Sequence, residues 1–180
     1  MLSSWWQVVN QAVPWALPFF GFSIVVGALV GITGRSRFRA PWWCVWAVIA
    51  SAGLIIGYTL TPTGQTYQEF GSCGLELTIP QVTPGLFLRP SLEALNIWLF
   101  VPLGLFAMLL AGSARMRVWV AAAVLATPLA IEAVQAAIPA LGRSCAADDV
   151  LYNIVGAAIG LILGVIASYG YARAQKHKNS

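Results

Sequence analysis

Charge is what this sequence has least of. Of its 180 residues, 10 are Lys or Arg, 6 are Asp or Glu and 1 is His, so charged side chains make up 9 %. A soluble domain carries roughly a quarter. Apolar residues reach 59 % and the mean hydropathy is +0.78. A chain this short has too little interior to hide so much apolar surface from water. Low polarity excludes disorder, and three cysteines are too few for a disulfide scaffold. The single histidine, His177, sits near the carboxyl terminus, which excludes Ser–His catalysis and His-ligated metal chemistry. The pI near 9.3 comes from scattered basic residues that form no stripe, so no nucleic-acid surface is expected. What is left is an integral membrane protein.

Apolar stretches are what the chain has in quantity. Five of them, at about 12–33, 42–61, 95–112, 118–138 and 150–169, approach or exceed the roughly 20 residues that cross a bilayer as helix. Strands are disfavoured, because an open sheet edge in hydrocarbon leaves backbone groups unpaired. The expected fold is an all-α, polytopic bundle of five transmembrane helices forming one membrane domain over 1–180. The third span is short and is expected to start upstream, with Ser91 after Pro90 as its N-cap.

Basic residues fix the orientation. Arg35, Arg37 and Arg39 lie between spans one and two, Arg115 and Arg117 between three and four, and Arg173, Lys176 and Lys178 after span five. All of these connections are on one side, and no acidic residue falls in them. The positive-inside rule then puts the amino terminus outside and the carboxyl terminus in the cytoplasm. The first basic residue follows the first apolar run, which does not fit a cleavable signal peptide. Trp5, Trp6 and Trp15 suit the outer interface, and Trp42, Trp43 and Trp119 the inner one. The connection at about 62–93 faces outward, and its prolines and glycines argue against a long helix there.

Cys73 and Cys145 both fall on the outward side, and a disulfide between them is the expectation for an oxidising compartment. The alternative is two thiols too far apart to join. Cys44 belongs to the cytoplasmic half and reads as a small packing residue.

The polar residues inside the spans carry the chemistry. Glu132 lies about six residues, or roughly 9 Å, inside the outer end of span four, and a carboxylate there needs a partner in the bundle interior. Gln135 follows on the same face. Asp148 and Asp149 open span five, with Asn153 one turn beyond Asp149 and then Gly156, Gly160, Gly164 and Ser168 along the same stripe. Small residues at that spacing let a neighbouring helix approach closely. Aspartates at a helix start are also explained by its dipole alone. Span three supplies Asn96, and Arg143, before span five, is the natural counter-ion for Glu132 or for an aspartate at 148 or 149. Asn96, Glu132, Gln135, Arg143, Asp149 and Asn153 therefore share one depth near the outer surface.

The ordered set Asn96-Ile-Trp-Leu-Phe-Val-Pro-Leu-Gly104, Glu132-Ala-Val-Gln135, Arg143 and Asp149-Val-Leu-Tyr-Asn153 with Gly156 resembles the VanZ-like family over roughly 96–164. Ala146 stands where family members often carry a further acidic residue. The resemblance implies a multi-pass protein of the bacterial plasma membrane, in a family whose namesake lowers susceptibility to teicoplanin.

Three readings of the polar residues stay open. They can hold helices in register and nothing more. They can bind an outer-leaflet amphiphile, such as a membrane lipid, a lipid-linked cell-wall precursor or a lipoglycopeptide, with Arg143 on an anionic group and the amides as hydrogen-bonding groups. Or Glu132 or Asp149 can act as general base of an enzyme working on a lipid head group. No cofactor and no metal site is predicted.

Overall fold

The computed structural model describes residues 15–34, 41–62, 83–143 and 146–178, without the side chains of residue 16 and of 171–178. The helices are α1 (Ala16–Thr33), α2 (Trp42–Thr59), α3 (Leu92–Leu110), α4 (Ala114–Ala137) and α5 (Ala147–Lys178), with short 3-10 turns at Leu86–Leu88 and Pro139–Leu141. Helices account for every regular element among the described residues, as the need to satisfy backbone groups in lipid requires. By length and composition, α2, α3, α4 and the Ala147–Gly170 part of α5 can each cross a membrane, while Leu17–Thr33 of α1 is apolar but shorter.

Helix starts follow local chemistry. Ser91 caps α3 by accepting from the Ala94 N–H at 3.2 Å, as its place after Pro90 predicts. Ser113 does the same for α4, accepting from Met116 N–H at 3.2 Å. That helix begins ahead of the apolar run because Arg115 and Arg117 limit hydropathy but not helix formation. Likewise α5 runs past the apolar stretch at both ends. At the far end of α2, Pro62 stands just beyond Thr59 and cannot extend the helix.

Two close pairs build the bundle. The turns of α1 and α2 run antiparallel, with Gly27 against the Trp46 carbonyl and Gly31 against that of Trp42. The Trp46 indole N–H donates across this pair to Ile24 O at 3.1 Å. The most extensive helix contact is α3 on α5. Here Gly156 lies against Ile97, Gly160 against Val101 and Gly164 against Leu105, so these two helices run parallel. The stripe of small residues is the seam that the spacing predicts, with backbones in direct contact in place of side chains. Gly104 returns the favour from α3, sitting under the Ala157 carbonyl. Ile97 and Phe100 are fully buried, and α2 and α4 flank α3 on its remaining sides. At the far end of the bundle Arg117 lies 5.5 Å over the Tyr169 ring, tying the start of α4 to α5.

Candidate functional site

The end of α2, the start of α3, the end of α4 and the start of α5 meet at one end of this bundle. All of the sequence-predicted polar residues within the described part of the chain lie there. Asn96 Nδ2 on α3 donates to Asp149 Oδ1 on α5 at 2.8 Å. Glu132, 6 % exposed, accepts the Ala146 N–H on Oε2 at 3.1 Å. The first N–H groups of a helix have no partner within it, so the α4 carboxylate serves as an anionic cap where α5 begins. Gln135 Nε2 donates to the Thr59 carbonyl at 2.8 Å.

Arg143 differs from expectation in its partners. Its Nε donates to the Thr61 carbonyl at 3.3 Å and an Nη donates to the Tyr58 carbonyl, while the guanidinium lies 5.9 Å from the Tyr58 ring centroid. The open carbonyls at the end of α2 accept hydrogen bonds from a cation and carry the negative end of the helix dipole. Glu132 and Asp149 still act on Arg143 through space. Burial pulls the guanidinium below its ordinary value, and Tyr58, Asp149 and Glu132 oppose that shift. Arginine remains a cation under such a shift.

What makes Arg143 point this way is local backbone. Helix α4 ends at Ala137, the turn Pro139–Leu141 follows, and Gly142 adopts the left-handed conformation at φ 62° and ψ 36°. A side chain there would be strained, so glycine lets the chain reverse beneath α2. Asp148 and Asp149 stand in the first turn of α5, and Asp148 is half-buried and also engaged in an interaction. Asn153, one turn on, is 2 % exposed, and its Oδ1 is buried without a hydrogen-bond partner. Cys73 and Cys145 lie outside the described residues. Cys44 is a buried free thiol. Among the described residues no group of three or more His, Cys, Asp or Glu is arranged to hold a metal ion.

The sequence reading missed the part played by α2. Tyr58, Thr59 and Thr61 contribute main-chain carbonyls, which have no side-chain signature. The one signal for them is Pro62, which marks where a span ends and leaves its last carbonyls open.

Chemically, the end sorts into two groups. Glu132 and Gln135 are buried and committed to helix ends. Arg143 and Asp149 are half-buried, and Asn153, whose Oδ1 is without a partner, lies one turn from Asp149. An opposed pair of charges with hydrogen-bonding amides at the rim of an apolar bundle suits the head group of an amphiphile.

The model of the VanZ/LLP1 family matches residues 46–168, a wider stretch than the quoted motifs and one that takes in most of α2. Among curated proteins and among solved structures, nothing matches the chain. The chain belongs to the VanZ/LLP1 family.

Proposed function

We propose that this protein crosses the bacterial plasma membrane five times, amino terminus outside and carboxyl terminus in the cytoplasm. We infer further that its outward polar end binds an amphiphile of the cell envelope, such as a lipid-linked cell-wall precursor or a lipoglycopeptide, and so affects susceptibility to teicoplanin. The basic residues on alternate connections support the orientation. The observation that carries the binding reading is Asn153, whose buried Oδ1 has no partner one turn from the half-buried Asp149. A buried polar atom left unsatisfied costs about 1–3 kcal/mol, and polar groups retained at such a cost inside a membrane bundle mark ligand pathways.

A second reading, that the polar end is structural, is favoured by Glu132 and Gln135, each engaged at a helix terminus. The two readings assign different residues and separate by experiment. Glu132→Gln, Asp149→Asn and Arg143→Lys are expressed in a teicoplanin-challenged host while membrane abundance is measured. Binding predicts normal abundance with altered susceptibility for Asp149→Asn and Arg143→Lys. Reduced abundance in all three supports the structural reading. Three abundant variants with unaltered susceptibility refute the binding site.

A further inference from the structure

Helices α2 and α4 both pack on α3 but make little contact with each other along their lengths. Between them runs a furrow of about 440 Å³, within the size of small-molecule sites, roughly 300–1,000 Å³. Its lining is aliphatic apart from Thr127, whose hydroxyl is turned back onto its own helix, donating to Ala123 O at 2.9 Å. Small side chains make the hollow: Ala52 on α2, Ala107 on α3, and Ala123 and Ala130 on α4.

At one end the furrow runs to Leu60 and Val134. Leu60 lies between Tyr58 and Thr61, the two residues whose carbonyls Arg143 grips. Val134 precedes Gln135, which crosses from α4 to the Thr59 carbonyl. The furrow therefore lies along helices able to span a membrane and is bordered at one end by the polar contacts of Gln135 and Arg143.

The charges at that end define the head group. Arg143 is the cation, held on the Thr61 and Tyr58 carbonyls. Asp149, held by Asn96, stands beside Asp148 in the first turn of α5, and Arg143 and Asp149 act on each other through space. A bare anion would meet the carboxylates, and a bare cation would meet the guanidinium. A head group with both signs satisfies both sets at once.

We propose that the α2–α4 furrow seats one acyl chain of a zwitterionic phospholipid, with its phosphate toward Arg143 and its ammonium toward the aspartates that open α5. The proposal rests on the reading of the polar end as an amphiphile site. Depth supplies the chain: at the level of Ala123 and Ala130 the medium outside a spanning helix is hydrocarbon. Charge complementarity selects the head, because anionic lipids lack the ammonium.

The test is native mass spectrometry of the full chain after equilibration with phosphatidylethanolamine and phosphatidylglycerol of identical acyl chains. The ethanolamine lipid is expected to be retained at least about tenfold better, a difference of about 1.4 kcal/mol. Ala130→Phe, which fills the furrow from an exposed position on α4, is expected to abolish retention. Ala123→Phe is the second plug, and Leu129→Phe, outside the furrow and 58 % exposed, is expected to retain lipid like the parent. Equal retention of the two lipids, or none, overturns the proposal. So does full retention in folded plug variants. Retention lost in Arg143→Lys but kept in both plugs refutes the furrow while leaving the polar site standing. Loss in the plugs but not in Arg143→Lys or Asp149→Asn refutes the head-group assignment.

Discussion

Asn96 donates to Asp149 at 2.8 Å, and the bond joins two parallel helices at the level where both begin. Gly156, two turns beyond Asp149, meets the backbone of Ile97, the residue after Asn96, so the polar contact sits at the head of the most extensive helix seam. Register between α3 and α5 is thus specified twice, by shape and by a charged hydrogen bond.

Removing the donor tests that coupling. Asn96→Leu leaves the Asp149 carboxylate without its α3 partner and is expected to cost about 1–2 kcal/mol, the upper part of the range for interhelical hydrogen bonds in membranes. Thermal unfolding in detergent should show a lower Tm, and Asn96→Gln, which keeps an amide, should lose less.

The seam has a sharper test. A methyl group at Gly156 would run into the Ile97 carbonyl, whereas one at Gly112 meets nothing within 4 Å. Gly156→Ala is expected to destabilise the fold by about 2–3 kcal/mol through overpacking, and Gly112→Ala to stay within about 0.5 kcal/mol of the parent. Paired unfolding curves in the same detergent would check both.

Gln135 and Arg143 hold carbonyls of the same helix end. Gln135→Leu leaves the buried Thr59 carbonyl unsatisfied, at an expected cost of about 1–3 kcal/mol. Combined with Arg143→Lys the effects should be non-additive, because both act on the end of α2. A double-mutant cycle by thermal unfolding measures the coupling, and strict additivity would show that the two residues act independently.

Orientation is open to chemical labelling. In a cysteine-free background, Thr83→Cys should react with a membrane-impermeant maleimide on intact cells. Gly112→Cys should react only after the cells are broken. Both positions are exposed, so the reverse pattern would invert the proposed topology.

The proposed Cys73–Cys145 bridge predicts an intact mass that lacks the two thiol hydrogens under non-reducing conditions. It also predicts resistance of both residues to alkylation until a reductant is added. Free alkylation of both would exclude it.

Apolar length and the Ser91 cap were legible in the sequence because each is local: a run of residues, or a hydroxyl three residues ahead of an orphan N–H. The same holds for the Gly156, Gly160 and Gly164 stripe, whose period marks a close-packed face. Its partner was not legible, since small residues accept any helix and α3 is identified only by the contact. The start of α4 at Ala114 lies ahead of its apolar stretch because hydropathy reports the hydrocarbon zone, not the helix, whereas Asp148 and Asp149 mark the start of α5 directly. Arg143 was the harder case. Ion pairing reads directly from charge, but capture by the Tyr58 and Thr61 carbonyls depends on the turn at Gly142 and on where α2 stops. The convergence of the polar side chains was visible in advance, and their division into helix caps and a more open Arg143–Asp149 set was not.

The parallel pairing of α3 with α5 also bears on how the protein is made. The α1–α2 hairpin can close as soon as both of its helices have emerged, since its partners are consecutive. Helix α3 cannot, because its main partner is the next helix but one. At synthesis rates of roughly 5–20 residues per second, several seconds separate the end of α3 from the glycine seam of α5. Through that interval Asn96 is without Asp149, and the face that will receive the seam is bare. The central pair is therefore completed only once α5 has been made, so the order of synthesis leaves one half of it waiting for the other.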